Sequence, residues 1–173
     1  MKAALPFPPV RLRALEPEDL DALYRIENDR QLWEVGATNV PYSRYVLHDY
    51  IATASSDIYA DKQVRLVAES EQGQLVGLAD LVNFDPRHLR AEVGIVVAPA
   101  CRCRGYGHAV VHHLSDYARR VLHLHQLYAV VASSNRQANK LFGDMGFRCT
   151  AHLSDWLCNG PSFESASLWQ LLL

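Results

Sequence analysis

The sequence of 173 residues predicts a single α+β domain. Three observations carry that expectation. Strand-period runs cluster between Val64 and Ala98, helical stripes lie before and after them, and the chain closes on two further strand runs around Asn159-Gly160-Pro161. No internal repeat, linker or low-complexity segment interrupts the chain, so residues 1–173 are read as one domain, long enough for a full core.

In chain order, Val10 to Leu15 alternates apolar and polar residues and reads as a first strand. Pro17, Glu18 and Asp19 suit the first turn of a helix, and Leu20, Leu23, Tyr24 and Ile26 give it an apolar stripe to about Asn28. The run from Asp29 to Val40 supports no single assignment. Pro41 and Ser43 then start a second helix with Tyr45, Val46, Tyr50 and Ile51 on its apolar face. Val64–Glu69 and Gln74–Val82 flank Glu71-Gln72-Gly73, a hairpin signal. Ala91–Ala98 is a strand apolar enough for the middle of a sheet and is stopped by Pro99. Gly105–Leu122 is the long helix, with Val110, Leu114, Ala118 and Val121 facing the core. Gln126–Ala132 is a buried strand, and Asn135–Met145 a short helix stopped by Gly146. Phe147–Cys158 and Ser162–Leu172 form the closing hairpin.

Composition excludes several function classes. A formal charge of −2 argues against a generic nucleic-acid binder and slightly favours a small cationic substrate. Met1–Pro9 has one lysine and three prolines and lacks the apolar core of a signal peptide, and no run approaches the ~18 apolar residues that span a bilayer. A cytoplasmic location is therefore expected, with Cys101, Cys103, Cys149 and Cys158 as reduced thiols. Five histidines fall between His108 and His125, and His108 and His112 share a helix face. Neither a His-Glu-x-x-His pattern nor a Cys-x-x-Cys pair accompanies them, so no metal is expected and the histidines are placed on the exposed side of the helix. Cys103 lacks a paired His–acid arrangement and is read as a bystander.

The most informative stretch is Arg102-Cys103-Arg104-Gly105-Tyr106-Gly107-His108-Ala109. Two glycines and two arginines between a strand and a helix suit a loop whose main-chain N–H groups wrap an anion. At a compatible distance follow Asn135-Arg136-Gln137-Ala138, Leu141-Phe142 and Gly146-Phe147.

These two motifs resemble the signatures of the GCN5-related N-acetyltransferase (GNAT) superfamily, and the resemblance covers about residues 10–172. Arg11–Glu16 with Glu18-Asp19-Leu20, Leu89–Val93 and Cys158-Asn159-Gly160 look like its spermidine N-acetyltransferase branch. The branch that acetylates ribosomal-protein N-termini shares much of this.

The resemblance implies a mixed, largely antiparallel sheet with a splayed central strand, flanked by helices, and acetyl-coenzyme A as cosubstrate. It implies that the backbone of Arg104, Gly105, Tyr106, Gly107, His108 and Ala109 holds the pyrophosphate, with Arg102 and Arg104 adding charge. Ile95, Val96 and Val97 would pair with the pantetheine arm, Asn135 would hydrogen-bond it, and Phe142 would pack beside it. Glu92 takes the place where many relatives keep a catalytic glutamate. Many relatives also have a tyrosine four residues before the Gly of Gly-Phe, where this chain has Phe142, which has no hydroxyl for the departing thiolate. Water or a backbone donor then suffices, another side chain substitutes, or activity is lost. The first is preferred, since parts of the superfamily do without this tyrosine.

The acceptor wall is expected between Asn28 and Asp61, with Trp33 and Glu34 as substrate contacts. The expected partner is a small-molecule amine or a peptide N-terminus. No nucleic acid or membrane partner is expected, and a homo-oligomer is compatible with the sequence. The implied activity is acetyl transfer to a primary amine. The alternative is a non-catalytic coenzyme A-binding sensor of the same fold.

Overall fold

Strand-period sequence becomes one twisted seven-stranded sheet in the computed structural model, which describes residues 6–33, 40–55 and 57–173. In chain order the first half comprises β1 (Val10–Ala14), α1 (Leu20–Glu27), α2 (Arg30–Trp33), α3 (Arg44–Thr53) and α4 (Ile58–Asp61). Then come β2 (Val64–Ser70), β3 (Leu75–Asp85), β4 (Arg90–Val97), α5 (Tyr106–Arg120), β5 (Gln126–Ala132), α6 (Arg136–Asp144), β6 (Arg148–Asn159) and β7 (Ser162–Leu172). The four-residue helices α2 and α4 are additions to the sequence reading, because one turn shows no period.

The local starts follow from side-chain chemistry. Pro17 opens a short 3-10 turn ahead of α1, and the Asp19 carboxylate accepts from the Glu16 N–H at 2.9 Å. Ser43 caps α3 by accepting from the Val46 N–H, and Asn135 caps α6 by accepting from the Ala138 N–H at 3.0 Å. Each cap satisfies a donor that the first helical turn cannot.

The sheet order is β1-β2-β3-β4-β5-β7-β6, which places β4 at the centre as its apolar sequence predicts. All pairings are antiparallel except β4 with β5, which the crossover through α5 makes parallel. Alternation along β4 sends Ala91, Val93, Ile95 and Val97 to the face covered by α5 and α6, where Val110, Val111, Leu114 and Ala118 are fully buried. Each such aliphatic side chain larger than alanine contributes about 1.5–3 kcal/mol relative to exposure. The other face carries a smaller core of Leu23, Leu47, Val67 and Leu78 under α1 and α3.

Two stripe assignments need correction. On α3, Tyr45 and Val46 are 79% and 47% exposed, and Leu47 is the buried residue instead. Leu47, Tyr50 and Ile51 follow the i, i+3, i+4 spacing that meets the sheet, which turns Tyr45 and Val46 to solvent. Val121 is 60% exposed because α5 ends at Arg120, leaving Val121 past the last helical turn. The histidines His108, His112 and His113 are only half-exposed, since Phe7 stacks on His108 with ring centroids 5.5 Å apart and leans against His112. All four cysteines are free thiols.

Candidate active site

A break in the sheet builds the site. β4 and β5 pair over only three rungs, Arg90 with Gln126, Ala91 with Leu127 and Glu92 with Tyr128. Beyond Glu92, β4 continues to Val97 along β3, while β5 continues to Ala132 along β7. The two central strands therefore part, and the main chain of Val93–Val97 faces the opening with no neighbouring strand on that side among the described residues. An extended chain carrying amides fits such an edge, because each exposed N–H and C=O is a ready partner.

The mouth of the opening is the Arg102–Ala109 loop. Gly105 sits at φ +83°, a left-handed conformation that favours glycine, and caps the N-terminus of α5. The first intrahelical bond is Ala109 N–H to the Gly105 carbonyl at 3.1 Å, so the N–H groups of Tyr106, Gly107 and His108 point forward from the helix end. Gly107 permits close packing, since a Cβ there would lie 3.3 Å from Leu141 Cδ2. Arg102 donates from Nε to the Val97 carbonyl at 3.1 Å, which ties the loop back to the end of β4, and Arg104 is exposed. Pro8 lies beside Gly105, its Cδ 3.1 Å from where a Cβ there would stand. The His108 ring is engaged by Phe7 and stands 3.3 Å from the Asp144 carboxylate, so its contribution to an anion is its main-chain N–H. Lys140 first, and then His108, hold the Asp144 carboxyl below its usual range. Forward-pointing amides, a helix N-terminus and two arginines fit a pyrophosphate, and the bare β4 edge beside them fits the amide-bearing arm that coenzyme A carries.

At the apex where the strands part, Glu92 lies on the α1/α3 side of the sheet. It accepts from Asn83 Nδ2 at 2.8 Å. Asn83 has φ +51° within the irregularity that shifts the β3–β4 register between Val82 and Asp85, and the kink re-aims its amide across to Glu92. Tyr128, the register partner of Glu92 on β5, completes the group. Burial pushes the Tyr128 phenol up, the Glu92 charge adds to that, and Arg90 opposes it. Sequence reading missed Asn83 and Tyr128. Asn tolerates left-handed backbone, but nothing local announces that it does so at this position.

The same sheet face carries a second charged group under α1 and α3. Arg65 grips Asp80 through two bonds of 2.8 and 2.9 Å, also bonds Glu27, and lies 5.8 Å from the Tyr50 ring centroid. Those two carboxylates hold the guanidinium charge firmly, and the group is net negative. Asp80 is the register partner of Gly94, so this charge lies next to the opening. A cleft of about 360 Å³ runs between α1 and the end of β4, lined by Arg25, Ile26, Asp29, Leu32, Val96 and Pro99. Its apolar walls suit an alkyl chain, and Arg25 and Asp29 line it with opposite charges.

The structure brings together Glu92, Ile95–Val97 and Arg102–Ala109 around one opening. Asn135 stands at the N-terminus of α6, with its Oδ1 spent on the cap. Phe142 is 3% exposed in the main core, its ring edge-on to Phe147 at 5.0 Å. Trp33 ends α2, but its side chain and the whole of Glu34 lie outside the described residues. Among the described residues no cluster of three or more His, Cys, Asp and Glu is placed to hold a metal, and no helix is long and apolar enough to cross a membrane.

Comparison with known proteins agrees with this geometry. The family model described as an acetyltransferase (GNAT) domain matches residues 10–148. A spermidine N(1)-acetyltransferase of Escherichia coli strain K12 is 30% identical over 158 residues, covering 87% of this chain and 80% of that protein. The crystal structure of spermidine N-acetyltransferase from Vibrio cholerae in complex with CoA and spermine superposes with a TM-score of 0.86 at 26% identity, over 94% of this chain and 95% of that one. A dodecameric structure of the Vibrio enzyme gives a TM-score of 0.80 at 27% identity, over 94% and 93%. The resemblance and the splayed mixed sheet expected from the sequence are borne out.

Proposed function

The chain belongs to the acetyltransferase (GNAT) family and is an N-acetyltransferase, and on that premise we propose that its acceptor is a primary amine of a linear polyamine. The observation that carries the reading is the three-rung pairing of β4 and β5, which leaves an edge for an amide-bearing arm directly below an anion-binding helix end. The net-negative Arg65–Asp80–Glu27 group favours a cation, and the apolar lining of the neighbouring cleft favours an alkyl spacer over a peptide N-terminus, whose neighbours are amides. The E. coli relative is named for spermidine, and the Vibrio structure contains spermine. Assembly of this chain into a homo-oligomer is part of the proposal, and the dodecameric Vibrio structure supports it.

When bound, acetyl-coenzyme A supplies a thioester whose carbonyl carbon the amine attacks, so that a C–N bond forms and the C–S bond breaks. In the proposed roles, the amides of Tyr106–His108 with Arg102 and Arg104 neutralise the pyrophosphate. Main-chain groups of Ile95–Val97 align the arm as an added strand. Glu92, oriented by Asn83, accepts the proton that the amine gives up. Free amine is scarce at neutral pH, since amines of this kind titrate near lysine at about 10.4. Glu92 acts on the amine that enters as free base, taking up the nitrogen proton as the bond to the acyl carbon forms.

Release of coenzyme A thiol with an amine panel tests the proposal. Turnover is expected with spermidine and spermine, at a kcat/KM at least about tenfold above that with N-terminal peptides, since each well-placed ammonium–carboxylate contact contributes on the order of 1.5–3 kcal/mol. Thiol release with peptides alone would move the acceptor to a protein N-terminus. Binding of acetyl-coenzyme A with no release from any amine would favour the sensor.

A further inference from the structure

The departing sulfur needs a proton, and the buried ring of Phe142 carries no hydroxyl to give it. Across the opening from α6, the last rung of the β4–β5 pairing sets the phenol of Tyr128 on the same sheet face as Glu92. We propose that Tyr128 is the proton donor to the leaving sulfur, and that Glu92 restores its proton. This rests on the N-acetyltransferase reading above and assigns its unfilled acid role.

Four observations carry the assignment. First, Tyr128 is the β5 residue of the last rung, at the point from which the strands part, and shares a sheet face with Glu92. Second, it is half-buried and borders a cavity of about 300 Å³ shared with Asn83, Arg90 and Gln126, so it is neither locked in the core nor lost to bulk water. Third, Asn83 links to the Glu92 carboxylate at 2.8 Å and interacts with Tyr128 as well, giving a continuous polar group at the apex. Fourth, the groups facing the phenol keep it protonated. From β4 these are Glu92 and Arg90, from the end of β3 Asn83 and Asp85, and from β5 and β7 the neutral Gln126 and Gln170. Burial first, then Glu92 through its charge and a hydrogen bond, raise the phenol, and Arg90 and the hydrogen bond with Asn83 lower it without reversing the shift. An acid raised above its ordinary value of about 10 stays an O–H donor throughout the neutral range and fails only at pH above that raised value.

The proton account closes. The acceptor enters as free amine, any surplus ammonium proton having gone to water. Its nitrogen bonds to the acyl carbon, and Glu92 takes one N–H proton. The C–S bond breaks with its electron pair staying on sulfur, and Tyr128 passes its proton to that sulfur. The proton held by Glu92 then moves to the phenolate. The products are the amide and the thiol, with both side chains back where they began.

The test is Tyr128→Phe, a change that keeps the ring and removes the hydroxyl, with folding checked by an unchanged circular dichroism melt. Steady-state kinetics on the best amine should show kcat lowered about 10²-fold with KM little changed. A binding readout needs no turnover. Calorimetric affinities for coenzyme A and for desulfo-coenzyme A are compared from pH 7 to 9.5, a range that spans the ordinary thiol value of about 8.5. Wild type should prefer coenzyme A by about tenfold at the alkaline end, because the phenol donates to the thiolate, and Tyr128→Phe should show no preference. An unchanged kcat, or a lowered kcat with the sulfur preference intact, overturns Tyr128 as donor. If wild type releases no thiol with any amine, the enzyme reading fails, and the affinity comparison still decides whether Tyr128 meets the sulfur.

Discussion

Gly105→Glu is expected to abolish acetyl-coenzyme A binding, with the thermal stabilisation seen on adding the ligand to wild type falling to zero. Three effects add in one direction. A side chain at φ +83° is strained, its Cβ would stand 3.1 Å from Pro8 Cδ, and a carboxylate there would add negative charge at the N-terminus of α5, whose forward amides should meet phosphate. At a ligand concentration 100 times Kd, wild type gains about 2.7 kcal/mol of stability from binding, and the variant gains none. The melt without ligand separates local strain from loss of fold: a variant that still melts cooperatively but no longer responds has lost the loop and kept the domain. An unchanged ligand response would remove Arg102–Ala109 from the pyrophosphate role.

Glu92→Gln carries the second large effect. The amide keeps the shape of the side chain but has no basicity, so kcat at neutral pH should fall about 10²–10³-fold. Its Nδ2 donor partner, Asn83, would face a weaker acceptor in place of a carboxylate. The deficit should shrink as pH rises, because hydroxide then takes up the nitrogen proton that Glu92 otherwise accepts. Acetyl-coenzyme A affinity should change little, since the loop lies at the other end of β4. A deficit that stays constant with pH would make Glu92 an orienting anion and not the base.

The loop and cap geometry of the candidate site was legible in the sequence because its signals are local. Gly105 and Gly107 are required by backbone conformation and close packing within one turn, and Asn135 caps the helix it precedes. Such requirements show in a few adjacent letters. The polar group around Glu92 was not legible beyond Glu92 itself. That Tyr128 stands beside Glu92 depends on a parallel register set by how α5 packs between the two strands, and residues 36 positions apart carry no mark of it. In Leu127-Tyr128-Ala129-Val130 the tyrosine reads as one more apolar strand residue. The phase error on α3 has a related cause. Tyr45 and Val46 count as apolar, yet Leu47 with Tyr50 and Ile51 meets the sheet, and only the tertiary docking chooses between those phases. Val121 failed for a boundary reason, since the stripe continues one residue beyond the helix that carries it.

Amide hydrogen exchange with and without acetyl-coenzyme A tests the central claim, that the gap between β4 and β5 and the helix end above it form the cosubstrate site. Added ligand should slow exchange at residues 93–97 and 105–109 by at least about tenfold, since those amides gain partners and lose solvent. The far β6–β7 hairpin should be unaffected. Binding accompanied by protection elsewhere, with both of these segments unchanged, would contradict the assignment.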